Sequence, residues 1–109
     1  LVLWNDPQFV EAARVLAERT LSGAGDDRAR LTQLFRRCTA RTPDAQQLAL
    51  LEETLAAFRA RYRGAPDEAA ALIEVGERPT ASDLDAAELA AWTLLASAVL
   101  DLDATLTQG

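Results

Sequence analysis

A chain of 109 residues has the length of one ordinary domain and can bury roughly 60–70% of its unfolded surface, enough for a real core. Half of its residues are apolar and 26% are charged, which excludes a disordered chain, and no apolar run reaches the ~18–20 residues of a membrane span. The net charge of −6 argues against nucleic acid as a partner, because phosphates require a dominant basic face.

Histidine is absent, which removes the commonest general base and the commonest metal ligand together. The single cysteine, Cys38, has no internal partner for a disulfide. Every positive side chain is arginine, and the charge is uneven along the chain. Residues 1–27 carry two Arg against five acids. Residues 28–63 carry eight Arg against three acids, and residues 64–109 carry one Arg against nine.

The elements follow in chain order. Asn5-Asp6-Pro7 opens a first helix, with Asp6 as cap and proline at the first helical position. Phe9, Val10, Ala13, Leu16, Ala17 and Leu21 recur at helical spacing, and Ser22-Gly23-Ala24-Gly25 ends the run. Asp26 or Asp27 caps a second helix whose apolar stripe is Leu31, Leu34, Phe35 and Cys38. Thr42-Pro43 repeats the cap-plus-proline signal and predicts the start of a third helix. Leu48, Leu51, Leu55, Phe58 and Tyr62 run down one face of it, and Gly64 stops it.

Pro66 starts a short fourth helix, with Ala69, Leu72, Ile73 and Val75 turned inward, ending at Gly76. Residues 77–83 read as a loop. Asp85 and Glu88 predict a capping box for the fifth helix, with Leu84 and Leu89 at the hydrophobic-staple positions. Trp92, Leu95, Val99, Leu102 and Leu106 continue at three- and four-residue steps as its core stripe. A buried Trp92 indole needs an acceptor, expected from a backbone carbonyl or a carboxylate on a facing helix. The expected fold is all-α, an irregular antiparallel bundle of four to five helices in a single domain over residues 1–109.

None of the chemistry-bearing residues forms a catalytic, cofactor-binding or metal-binding constellation. The pairs Asp83/Asp85 and Asp101/Asp103 lack the tight arc of oxygens and the turn glycine of a calcium loop. Asp85 reads as a cap and Asp101/Asp103 as an exposed helix face. Glu52 and Glu53 point about 100° apart on one helix and read as surface charge, not as an acid–base pair. Cys38 lies on an apolar stripe and reads as a buried small hydrophobe. Ser22, Ser82 and Ser97 have no histidine to activate them. Trp4 either folds back on the bundle or packs against a region upstream. Arg59, Arg61 and Arg63 either form a docking patch for an anionic partner or face the acidic fourth and fifth helices, the second reading being preferred.

Several segments are distinctive: Leu3-Trp4-Asn5-Asp6-Pro7-Gln8-Phe9-Val10-Glu11-Ala12-Ala13-Arg14, then Phe35-Arg36 with Arg41-Thr42-Pro43. Further on come Gly76-Glu77 leading to Leu84-Asp85-Ala86-Ala87-Glu88-Leu89-Ala90-Ala91-Trp92-Thr93, and the ending Leu100-Asp101-Leu102-Asp103. Together and in order they resemble the C-terminal part of the planctomycete-specific domain of unknown function, family 1553, over essentially the whole chain. Asp101 stands where that family usually has asparagine, Ala104 where it has glutamate, and Ala86 where proline often follows the cap.

The resemblance implies that the chain is the C-terminal segment of a large exported protein, periplasmic or at the cell surface. Such proteins often carry a planctomycete-type cytochrome c domain and a further domain upstream. Any haem would belong to that upstream part, since no Cys-x-x-Cys-His occurs here. The expected role is a non-enzymatic structural or interaction module of a redox-linked protein. Its partners would be the upstream domains of its own chain or another protein. The alternative is a non-catalytic part of an extracytoplasmic enzyme, one acting on polysaccharide.

Overall fold

The computed structural model describes the backbone of residues 7–74 and 84–108, with side chains for residues 8–74 and 84–103. Five helices carry it: α1 (Pro7–Ser22), α2 (Asp27–Thr39), α3 (Ala45–Arg63), α4 (Pro66–Ile73) and α5 (Ala86–Gln108). No strand occurs among the described residues. The all-α bundle expected from the periodicity is therefore what forms.

Most helix starts follow the local signals. Pro7 and Pro66 each occupy the first helical position, where their missing N–H costs nothing. Asp26 is the cap of α2, accepting from the Ala29 N–H at 2.9 Å. The start of α3 differs from expectation. Thr42-Pro43 stays outside the helix, and Asp44 is its cap. The Asp44 carboxylate accepts from the Gln47 N–H at 2.7 Å, while the Gln47 side chain accepts from the Asp44 N–H at 2.9 Å. A reciprocal box satisfies two orphan donors, which a threonine cap two residues earlier would not do.

Helix ends are equally local. Ala40 closes α2 in the left-handed region at φ 60, a position that favours glycine. Gly64 closes α3 as expected, although in the right-handed region at φ −83, so its freedom is not what ends the helix. The fourth helix ends at Ile73 with Glu74 as its cap, and Val75, Gly76 and the loop to Asp83 lie outside the described residues.

The arrangement is a ring around a centre. Among the described residues α5 packs against all four other helices. These touch one another only as ring neighbours: α1 with α2, α2 with α3, α3 with α4, and α4 with α1. Arg59 of α3 meets Glu88 near the start of α5, while Arg41, just ahead of α3, meets Asp103 towards its end, so α3 and α5 run antiparallel.

The centre of α5 is enclosed on every side. Residues 89–97, from Leu89 through Ser97, are all buried, and nine consecutive residues cover every direction around a helix. The expected one-sided stripe is thus a fully buried segment over these residues. Ala90, Ala91 and Ala96 let neighbouring backbones approach, while Leu89, Trp92, Leu94 and Leu95 fill the space between. Further along, the stripe reading holds at Val99 and fails at Leu102, which is 59% exposed; the Leu106 side chain lies outside the described residues.

The ring contributes Ala13 and Ala17 from α1, Leu31, Leu34 and Cys38 from α2, Leu51, Leu55 and Tyr62 from α3, and Ala69 and Ile73 from α4. One charged residue joins them. Arg14 is fully buried and donates from Nη1 to the Ile73 carbonyl at 3.1 Å, with Glu11 at 3.7 Å from Nη2. The last carbonyls of α4 lack helical partners, so the guanidinium satisfies one and sits at the negative end of that helix dipole.

Trp92 is the largest side chain in this core. Trp92→Ala is expected to cost ~3–5 kcal/mol and to lower the melting temperature by more than about 10 °C, measured by circular dichroism at 222 nm. A melting temperature within ~2 °C of wild type would mean that α5 is not enclosed as described.

Candidate functional site

Two features stand out from the packing: a charged junction joining three helices and an apolar groove between two. The junction is centred on Arg59. Its Nε donates to both oxygens of Glu88 at 3.0 Å, and its Nη2 donates to Glu88 Oε1 as well. On its other side Nη1 and Nη2 donate to the two oxygens of Asp27 at 2.7 and 3.0 Å. One planar guanidinium therefore ties α3 to α2 and α5 with paired, charge-assisted bonds. It also lies over the Trp92 ring, 5.9 Å from the centroid.

Trp92 completes the junction. Its indole Nε1 donates to Glu88 Oε1 at 2.9 Å, one turn back on its own helix. The acceptor is a carboxylate, but it is not on a facing helix as expected. The Asp85–Glu88 capping box is correspondingly half formed. Asp85 accepts from the Glu88 N–H at 2.9 Å, while the Glu88 carboxylate turns to Arg59 and Trp92. A cationic partner in a half-buried site is worth more to a carboxylate than one amide of an exposed cap.

The electrostatics agree with a structural role. The Arg59 hydrogen bonds hold the Asp27 carboxyl below its ordinary range against the opposing effect of burial. Burial pushes the Glu88 carboxyl up, but bonds from Arg59 and Trp92 together outweigh it and the group ends up lowered. Arg59 itself is raised by Asp27 and Glu88. All three are charged at neutral pH and bonded to one another, which leaves no poised proton donor or acceptor.

Of the remaining arginines of the middle segment, Arg28, Arg41 and Arg61 are matched by acids within the molecule, as the preferred reading of the charge map has it, while Arg36 and Arg37 are exposed. Arg61 lies 3.7 Å from Glu68 and over the Tyr62 ring, Arg28 lies 3.5 Å from Glu52, and Arg41 bonds Asp103 at 2.9 Å. Asp103 is therefore a partner of the α2–α3 connection, and with Asp101 also half-buried the pair is not the solvated face expected of it. Arg63 is exposed. Cys38 is buried, and its thiol is pushed up to about 11 by burial and by Asp103, which keeps it protonated and unreactive. Ser22 donates to the Glu18 carbonyl at 2.7 Å and Ser97 is buried. Asp6, Ser82, Asp83 and Trp4 lie outside the described residues. Among the described residues no group of three potential metal ligands converges, and no helix is long and apolar enough to cross a membrane.

The groove runs between α3 and α5. Leu50, Leu51, Thr54 and Phe58 form one wall and Leu95, Ala98, Val99 and Leu102 the other, around a volume of about 250 Å³. Its polar lining group, Thr54, donates its hydroxyl to the Leu50 carbonyl at 2.8 Å, so it presents a methyl group and no unmet demand. A recess of about 50 Å³ continues the groove past Val99 and Leu102 to Phe35, Thr39, Arg41, Gln47 and Asp103. Such a surface accepts apolar side chains and offers no group for bond making or breaking.

Neither feature was visible as a site in the residue pattern. Leu102 fits the apolar periodicity of α5 as well as core residues do, Leu50 is a single leucine off the apolar face of α3, and Arg59 gives no local hint of its two partners.

Replacing Arg59 by methionine leaves Asp27 and Glu88 without their cation and is expected to cost ~1–3 kcal/mol at pH 7. Both carboxyls are lowered in the folded chain, so their contribution is present above the unfolded values. It is lost as pH falls below about 4 through the folded values. Chemical denaturation between pH 7 and 2.5 should show the difference between wild type and Arg59→Met shrinking towards low pH. A difference independent of pH would contradict the junction.

The comparisons with known proteins bear on identity and not on chemistry. Residues 1–55 match the family described as "Protein of unknown function (DUF1553)". That span takes in α1, α2 and α3 as far as Leu55; the later motifs that carried the resemblance, from Gly76 to Asp103, lie beyond it. No curated protein and no solved structure matches the chain. The match covers just over half of the 109 residues, and the chain belongs to the DUF1553 family.

Proposed function

We propose that this chain is a non-catalytic helical module that joins protein parts by taking apolar side chains into the α3/α5 groove. One observation carries the reading. Leu50, 62% exposed, and Leu102, 59% exposed, are the exposed large hydrophobics among the described residues, and both stand on this one groove, on opposite walls. Scattered exposed leucines need no explanation, but two that flank an apolar groove form a continuous patch of the kind protein contacts use. The charged groups support the same reading, since Arg59, Glu88, Asp27, Arg41 and Asp103 are engaged in holding helices together.

In the setting that the family resemblance implies, an exported multidomain protein with its redox chemistry upstream, the module would contribute assembly. Haem or any other cofactor would be held by other parts of that protein.

Site-specific photo-crosslinking tests this in the full-length protein that carries the sequence, expressed in its own cell. p-Benzoylphenylalanine at position 50 should give a discrete crosslinked product on irradiation. The same group at exposed Ala56, away from the groove, should give none. No product at position 50, or indistinguishable products at both positions, would overturn the reading.

A further inference from the structure

The groove edge carried by α3 has a symmetry of its own. Gln47, Leu50, Thr54, Phe58 and Arg61 follow one another at steps of three, four, four and three residues, which places them along one line of the helix. The line reads the same in both directions about Thr54: a polar residue, a large apolar residue, a small central one, a large apolar residue, a polar residue. Leu50, Thr54 and Phe58 line the groove, and Gln47 and Arg61 are exposed at its ends.

We propose that a second copy of this chain closes the groove, with the two α3 helices packed antiparallel across a twofold axis at Thr54. The proposal rests on the groove being a docking surface and names its occupant. In this arrangement Leu50 of each copy sits against Phe58 of the other, Gln47 against Arg61, and Thr54 against its own equivalent. Thr54 suits the axis because its hydroxyl is already satisfied by the Leu50 carbonyl, so covering it strands no polar group. Leu102, on the opposite wall of the same groove, is covered with it.

Charge favours the same orientation. The end of the seam at the start of α3 carries the acidic groups Asp44 and Asp103 together with Arg41. At the other end Arg59 is paired with Asp27 and Glu88 and Arg61 with Glu68, and the exposed Arg63 adds a cation. With Arg41 paired to Asp103, Asp44 is the acid added at the first end, and antiparallel packing lays Arg63 of each copy near Asp44 of the other, whereas parallel packing would place like on like. A seam of about four helical turns buries less than the ~1,200–2,000 Å² of a stable complex, so the dimer is a weak one, with a dissociation constant on the order of 10–100 µM.

Sedimentation equilibrium of the 109-residue chain from about 5 to 500 µM reads this directly, the range being chosen to bracket that constant. The expected result is a monomer–dimer equilibrium, shifted at least tenfold towards monomer by Leu50→Glu with an unchanged melting temperature, since Leu50 is mostly exposed. As a second arm, Thr54→Cys should form a covalent dimer under mild oxidation, and Ala56→Cys should not. Cys38 stays out of the chemistry because it is buried and protonated. A wild type that remains monomeric to 500 µM, a dimer indifferent to Leu50→Glu, or equal crosslinking at both cysteine positions would overturn the proposal. A photo-crosslink from position 50 to a different chain, or to another segment of its own chain, would overturn the second copy and leave the docking groove standing.

Discussion

Enclosing α5 is the constraint on which the rest of this structure depends. A helix buried over nine consecutive residues, from Leu89 to Ser97, cannot be covered by one neighbour or two. It needs a wall on each side, and α1 to α4 supply it as a closed ring of successive neighbours. Short connections suffice because each ring helix follows the previous one around the same axis. The alanines of α5 matter as much as its large residues: they set how closely the ring can draw in, and Leu89, Trp92, Leu94 and Leu95 then fill what remains.

A ring must also be held closed, and two arginines do that. Arg59 fastens α3 to α2 and α5 at once, and Arg14 fastens α1 to the end of α4. Placed half-buried over Trp92, the Arg59 guanidinium keeps its bonds partly shielded from water, and they count for more than an exposed ion pair would. The enclosure has a local cost. The Thr93 hydroxyl, fully buried on α5, has no hydrogen-bond partner among the described residues, a position at which valine would fit the surroundings as well.

The sequence carried more of the fold than of the surface. Pro7, Asp26, Pro66 and Asp85 are local signals that act through neighbouring backbone groups, and each marks a helix start where it was expected. Thr42-Pro43 misled because Asp44, one residue later, makes a stronger cap with Gln47. The burial of α5 was legible as well, in the absence of any charged residue from 89 to 100, although a stripe of spaced leucines drew attention away from it. What was not legible depends on distant partners. Glu88 looked like half of a capping box, Asp103 like a solvated residue and Leu102 like core. Only the position of Arg59, of Arg41 and of the ring's edge decides otherwise. The groove escaped for the same reason: Leu50 lies off the apolar face of α3, and a single leucine there does not show that Leu102 of α5 stands across from it.

The proposed docking role rests on the division between enclosed centre and open edge. Arg59, Arg14 and Arg41 are engaged in holding helices together, and among the described residues the exposed large hydrophobics, Leu50 and Leu102, stand on one groove along α3 and α5. Native-state hydrogen exchange tests the central claim most directly. If α5 is the enclosed hub, the amides of residues 89–97 exchange only through global unfolding, with protection equal to the stability measured by denaturant and above that of the ends of α1 and α4. Exchange of those α5 amides through a smaller, local opening, while α2 or α3 remained protected, would contradict it.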